Sequence, residues 1–226
     1  MRILTVLAGL LLTAACGGDG GSSQATTPPS GATRIGDIQG TGSTSPLEGQ
    51  AVTVSGIVTG DFQENDADER RNLGGFYIQD GAPDTDLQTS DGIFVFDGNN
   101  PATNIDVGDV VEVKGTVTEY FGETQINASS VRVAGAGVLA PFPVNLPING
   151  ATTNSDGDLI ADLEHLEGML VKFTDTLTIT NLRNLERFGS VTLSEGGRLY
   201  QFTNNKSPDV EGYDAHKELN ASRLIV

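Results

Sequence analysis

Short runs of β-branched residues alternating with polar ones, each cut by glycine, commit this chain to twisted antiparallel sheet. Val52, Val54 and Val58 alternate with Thr53, Ser55 and Thr59 around Gly56, giving one apolar and one polar face, the pattern of a half-buried strand. Phe76 and Ile78 continue it with Tyr77 opposite. Ile93-Phe94-Val95-Phe96 is a continuous apolar run between Asp91-Gly92 and Asp97-Gly98, which predicts a strand between turns, buried on both faces. Val107-Gly108-Asp109 turns the chain into Val111, Val113 and Val117, with Gly115 a bulge or coil, and Ile126, Val131 and Val133 supply a fifth, broken strand. The strand-and-turn text is expected to begin at Ile35. Gly accounts for 29 residues and Trp for none, a composition that fits turn-rich β structure and not long helices.

Five short strands in roughly a hundred residues suit a small closed or partly closed antiparallel barrel, best described as OB-like. A β-sandwich is the alternative, because the connection from Asp97 to Asp106 holds Pro101 and several Asn and is too poor in helix formers for the helix often placed between the third and fourth OB strands. Ala140-Pro141-Phe142-Pro143 and Pro147 then form an extended connector. Ser155 or Asp156 is expected to cap a short helix through Leu159, Leu163 and Leu166. Leu166-Glu167-Gly168 repeats Leu47-Glu48-Gly49 at a distance of 119 residues, and each opens a strand pattern, so we expect a duplicated β module. The second copy is incomplete, with strands near Met169 to Thr180, Gly189 to Leu193 and Tyr200 to Phe202. The closing Leu224-Ile225-Val226 has the look of a strand cut in mid-run, and the sequence predicts a longer parent protein.

Ahead of all this, Arg2 precedes an apolar-and-small run from Ile3 to Ala15, which fits a signal-peptide core and is shorter than the ~20 residues of a spanning helix. Leu12-Thr13-Ala14-Ala15-Cys16-Gly17 resembles a bacterial lipobox, which would make Cys16 the site of lipidation; cleavage after Ala15 leaving a free thiol is the alternative. Gly17 to Gly31 is Gly, Ser, Thr and Pro with almost nothing to bury, a flexible tether. Gly17 after the Cys suggests, by analogy with bacterial lipoproteins, the outer membrane. The expected organisation is therefore a signal peptide (1–15), lipidated Cys and linker (16–33), OB-like barrel (34–135), extended connector (136–154) and short helix with a partial second OB-like module (155–226). The expected location is the bacterial cell envelope or the extracellular space, with the membrane as a partner through the anchor.

One Cys and two His exclude a disulfide framework, Cys-rich zinc sites and a three-His metal site within the chain. Thirty acidic residues against 13 basic ones give a net charge of −17. Most acids sit in loops such as Glu64 to Glu69, where they read as solvated. Asn154-Ser155-Asp156-Gly157-Asp158, with Asp162 beyond, spaces oxygens at alternate positions, which makes Asp156, Asp158 and Asp162 a candidate Ca²⁺ set. An EF-hand would place Gly at Leu159 and a bidentate Glu at His165, so the match to that loop is partial. His165 and His216 carry no flanking ligand pattern and read as surface or boundary residues. No nucleophile elbow and no Walker or dinucleotide glycine pattern follows a strand.

Barrels of this kind often bind nucleic acid through aromatics and a basic groove. Tyr77, Phe94, Tyr120 and Phe121 could stack on bases; of these Tyr77, Tyr120 and Phe121 are the candidate contacts. Charge opposes that use. Between Arg34 and Gly135 only Arg34, Arg70, Arg71, Lys114 and Arg132 are basic, against 17 acids, and affinity for a polyanion comes from counterion release by Lys and Arg. Nucleic acid is expected to be at most an indirect partner of this region.

Read in order, Ile35 to Gly42, Ser45-Pro46-Leu47-Glu48-Gly49-Gln50, Val52 to Thr59, Gly75-Phe76-Tyr77-Ile78-Gln79-Asp80 and Ser90-Asp91-Gly92-Ile93-Phe94-Val95 closely resemble the N-terminal OB-like region of ExeM/NucH-type extracellular nucleases. Val107-Gly108-Asp109, Phe121 to Ile126, Leu166 to Val171 and Arg187 to Leu193 continue the resemblance, which spans nearly all of Arg34 to Val226. In that family a following endonuclease/exonuclease/phosphatase domain hydrolyses phosphodiesters with a divalent metal, Mg²⁺ or Ca²⁺. The resemblance therefore implies a non-catalytic region whose partner is its own catalytic domain, with no catalytic residue carried onto this chain. The alternative from a different class is a stand-alone envelope lipoprotein whose β module binds a ligand or protein.

Overall fold

Strand length and glycine placement together explain how five strands can close on themselves. The computed structural model describes residues 31–63, 72–82, 84–153 and 159–225. Within these, residues 31–141 together with Glu164–Leu170 make one compact unit, and Phe142–Leu163 with residues 171–225 make another. The chain is mostly β.

The first unit opens with helix α1 (Ile35–Gln39), where strand was expected. Ile35 and Ile38 stand three residues apart on one face of this turn and a half, and both are fully buried in the core. The sheet follows as β1 (Ala51–Phe62), β2 (Gly75–Gln79), β3 (Gly92–Phe96), β4 (Asp109–Tyr120) and β5 (Glu123–Ala136). Its order is β1-β2-β3-β5-β4, with β4 returning to β1, so every strand has two neighbours, although β5 meets β3 only over Gln125 to Asn127. All pairs are antiparallel except β3 with β5.

Closure is irregular. The first half of β1 pairs with β4 and its second half with β2, the register slipping between Val58 and Gly60. Register also slips at Lys114/Gly115, where the sequence predicts a bulge, and at Val110/Val111. Such slips bend long strands and let five of them form a ring. The fifth strand is one 14-residue strand, not broken. Inside lie Val54, Val58, Phe76, Ile78, Ile93 and Val95, with Val111, Val113, Val117 and Ile126, each at most 1% exposed. No helix follows β3; Ile105 from that connection is buried instead, and α1 packs beside β3.

Strap residues Glu164–Leu170 belong to this unit. Leu47-Glu48-Gly49 and Leu166-Glu167-Gly168 build the same turn: Gln50 N–H donates to Leu47 O (3.0 Å) and Met169 N–H to Leu166 O (3.1 Å). Gly49 and Gly168 hold φ of +78° and +68°, values that favour glycine. The repeated tripeptide is thus a recurring turn, and a strand starts soon after each copy.

In the second unit β6 (Phe142–Val144) runs parallel to β9 (Val171–Phe173), and β7 (Ala151–Thr153) pairs with β8 (Leu159–Ala161). β10 (Leu177–Asn181), β11 (Thr192–Glu195) and β12 (Leu224–Ile225) form a three-stranded sheet, with the single turn α2 (Leu185–Phe188) and helix α3 (Val210–Ser222) between them. The described residues of this unit form no second five-stranded ring. The helix expected through Leu159, Leu163 and Leu166 is not formed: Leu159–Ala161 is a strand and Glu164–Leu166 a single 3-10 turn. So short a helix returns too few hydrogen bonds for its nucleation cost, whereas Leu159 to Ala161 find partners on β7. Tyr200 to Phe202 is likewise not a strand. Phe202 begins a 3-10 turn and buries its ring against Tyr213 and His216 of α3, a helix the sequence reading did not anticipate. Asp209 caps it, accepting from Gly212 N–H at 2.6 Å.

Candidate functional site

Residues that alternate away from the core put a row of aromatic rings on the outer side of β1, β2 and β3. Phe62, Tyr77 and Phe94 form a ladder across the three strands, with ring centroids 5.9 Å apart edge-on and then 4.9 Å apart tilted. Glycines make beds for the rings. A Cβ at Gly60 would lie 2.8 Å from Phe62, one at Gly75 2.8 Å from Phe94, and one at Gly74 2.9 Å from Phe96. Ring over glycine recovers the apolar contact that a missing side chain forgoes. Phe62 and Phe94 are only 6% and 5% exposed, so the ladder is packed.

The ladder ends on a carboxylate. Tyr77 Oη donates to Glu123 Oε1 at 2.7 Å. Burial pushes the Glu123 carboxyl above its usual range, and this hydrogen bond partly opposes the shift. Glu123 sits opposite Tyr120 in the β4–β5 register. Tyr120 and Phe121 project from that hairpin tip at 58% and 82% exposure, edge to face at 4.7 Å. Phe121 holds φ of +50°, a conformation that bulky residues rarely adopt.

The three sequence-predicted aromatics thus part company. Tyr77 is committed to its neighbours, while Tyr120 and Phe121 stand together in solvent, linked to Tyr77 through Glu123. Sequence reasoning missed Phe62, Phe96 and Glu123; the glycines beside and opposite the two Phe residues were the available signal. Of the candidate Ca²⁺ set, Asp156 and Asp158 lie outside the described residues, as does Cys16. Asp162 is exposed, with its N–H directed to Gly150 O. Among the described residues no group of three or more His, Cys, Asp or Glu side chains converges as a metal site. No helix among them is long and apolar enough to cross a membrane. His216 packs on Phe202 with Nε2 2.9 Å from Tyr200 O and 3.0 Å from Asn220 Nδ2.

A second electrostatic feature lies where β2 leads into β3. Asp80 and Asp91 are buried there beside Asp84, and Arg34 reaches Asp84 at 3.9 Å. Burial, and then the neighbouring carboxylates, push Asp91 from 3.8 up to about 6; burial raises Asp80 as well. The folded chain retains a proton at Asp91 that the unfolded chain releases near 3.8, so stability falls as pH rises from that value to about 6 and stays low above it. Asp91→Asn keeps an acceptor oxygen for the Asp84 N–H. We expect it to stabilise the chain at neutral pH by about 1–3 kcal/mol and to flatten the pH slope of the melting temperature below about 6. An unchanged slope would show that Asp91 carries no such proton.

The ring of strands and its aromatic face define a β-rich module with one packed outer surface. No family model and no curated protein matches the chain. Among solved structures it is similar to the hypothetical protein ygiW from E. coli, at 16% identity and a TM-score of 0.25, over 38% of this chain and 77% of that one. It is similar also to asparaginyl-tRNA synthetase from Pyrococcus horikoshii complexed with asparaginyl-adenylate, at 16% identity and a TM-score of 0.25, over 43% of this chain and 22% of that one. Likeness at this level carries no argument about function.

Proposed function

We propose that this chain is the non-catalytic β region of a lipid-anchored extracellular nuclease, in which an OB-like module positions the substrate or the catalytic domain. The observation that supports the reading best is topological. The order β1-β2-β3-β5-β4, with its one parallel pair between β3 and β5, is the order of a five-stranded OB Greek-key barrel. The motif series from Ile35 to Leu193 that resembles the ExeM/NucH nucleases supports the second half of the reading.

On this proposal Cys16 carries the lipid and holds the protein at the cell envelope, and the divalent metal, Mg²⁺ or Ca²⁺, works in the catalytic domain. The excess of acids over bases between Arg34 and Gly135 makes positioning of a catalytic domain a better task for the ring than gripping phosphates. The purified chain is expected not to nick supercoiled plasmid with Mg²⁺ or Ca²⁺ present; chelator-sensitive cleavage that copurifies with the chain would overturn the proposal. A second reading, a stand-alone envelope lipoprotein, is favoured by the exposed Tyr120 and Phe121 at the β4–β5 tip, which suit a protein or uncharged ligand. An open reading frame that runs on into a catalytic domain decides for the first, and a stop codon after Val226 for the second.

A further inference from the structure

The basic residues of this acidic chain are unevenly spread. Residues 171–226 hold seven bases and seven acids, whereas Arg34 to Gly135 holds five and 17. Within the balanced segment, Arg183, Arg187 and Arg198 are exposed, with Glu186 the acid nearest in sequence to the first two. The same stretch exposes apolar side chains. Ile179, Leu182, Leu185 and Tyr200 are each 47% to 56% exposed.

Backbone geometry ties these residues into one strip. Among the described residues β10 is the outer strand of its sheet, paired with β11 alone. Its end runs through Leu182 and Arg183 into α2. Leu199 N–H donates to Thr180 Oγ1 at 2.8 Å, which fixes Arg198 and Tyr200 alongside β10. The Arg198 guanidinium stands 5.9 Å from the centre of the Tyr200 ring.

We propose that this β10–α2 strip is a membrane-contact surface that takes anionic phospholipid. Leucine and isoleucine offer no flat face for stacking on bases, but they partition into the headgroup and acyl boundary. Tyrosine settles at the same depth. Guanidinium groups beside them complement lipid phosphates. Arg183, Arg187 and Arg198 against the single acid Glu186 give the strip itself a local excess of basic residues, although residues 171–226 as a whole balance. At physiological salt, interactions beyond roughly 8 Å are screened, so the local charge governs. The proposal draws on the anchored-chain reading only for the nearness of a membrane; the contact itself needs no acyl chain.

The test uses the full chain with Cys16→Ser, which removes both the acylation site and the single thiol, and Leu185→Cys carrying a nitroxide. With phosphatidylglycerol-rich vesicles, collisions of the label with oxygen should rise several-fold and collisions with a water-soluble nickel chelate should fall. Arg183→Glu, Arg187→Glu and Arg198→Glu together should abolish both changes. The same label at Leu182→Cys repeats the measurement if the first site perturbs α2. A label that stays in water while the chain sediments with vesicles would overturn the proposal, since the leader alone would then hold the chain. Immobilisation by a single-stranded oligonucleotide and not by vesicles, or by doubling of mass without lipid, would overturn it in favour of a polyanion or a second copy. Absence of lipid on Cys16 of the native protein would count against the anchor reading and leave this measurement untouched.

Discussion

Gly75→Ala should open the ring of strands, costing about 3 kcal/mol or more, the range of severe backbone clashes. A Cβ there would stand 2.0 Å from Val95 O, 2.9 Å from Val95 C and 2.8 Å from Phe94 Cζ. The first two atoms are backbone of β3, the strand to which β2 is paired, so relief requires β2 and β3 to separate. Those pairs hold Phe76 and Ile78 in the core, and the Phe94 ring would leave its bed at the same time. Damage to the sheet and loss of the aromatic ladder are therefore one event. Gly135→Ala supplies the control, because its Cβ meets nothing within 4 Å and its φ lies outside the left-handed region. It should change stability by no more than about 0.5 kcal/mol. Urea midpoints compare the two directly, and a Gly75→Ala protein as stable as the parent would show that β2 and β3 do not meet as described.

Much of this ring was legible in the sequence because its strands keep strict alternation. Val52 and Val54, Phe76 and Ile78, and Val111, Val113 and Val117 all point inward as the period of two requires. Even the bulge at Gly115 follows from a glycine in mid-strand, where a Cβ would meet Asn127 O at 2.4 Å. Pattern failed where segments are too short to have a period. Helix α1 spans five residues, and Ile35-Gly36-Asp37-Ile38 can be written equally well as a strand entry; only burial of both isoleucines in one core decides. Helix α3 is long enough to read, yet Gly212 and Asn220 interrupt it and its apolar residues are sparse, so no amphipathic stripe announces it. The candidate site divides the same way. Tyr77 is found by alternation, but that its hydroxyl is spent on Glu123 depends on a contact 46 residues away. The strand patterns also carry no trace of which unit Glu164–Leu170 joins.

The strap has a sharp test in Gly92→Ala. At the seam between β3 and β5 the paired residues are only Phe94 to Phe96 with Gln125 to Asn127, and Thr124, one residue short of that run, needs another acceptor for its N–H. Glu167 Oε1 supplies it at 2.8 Å. Ser90 Oγ donates to Glu167 O at 2.5 Å, and Leu170 N–H donates to Gln79 Oε1 at 2.9 Å. These bonds all require the strap to lie backbone to backbone on β3, which glycine at 92 permits. An alanine Cβ would sit 2.4 Å from Gly168 C and 2.5 Å from both Gly168 O and Met169 N, and no side-chain rotation relieves a clash with main-chain atoms. The strap should lift, exposing buried Leu166 and stripping the seam of its acceptor, at a cost of about 2–4 kcal/mol for the lost hydrogen bonds and burial. Amide hydrogen exchange reads this locally. Thr124 and Leu170 should lose their protection, while Val113 and Val117, in the long β4–β5 and β1–β4 pairings, should keep theirs. Unchanged exchange at Thr124 and Leu170 would mean that the strap is not what closes the seam, and equal loss at all four amides would mean that strap and ring unfold as one.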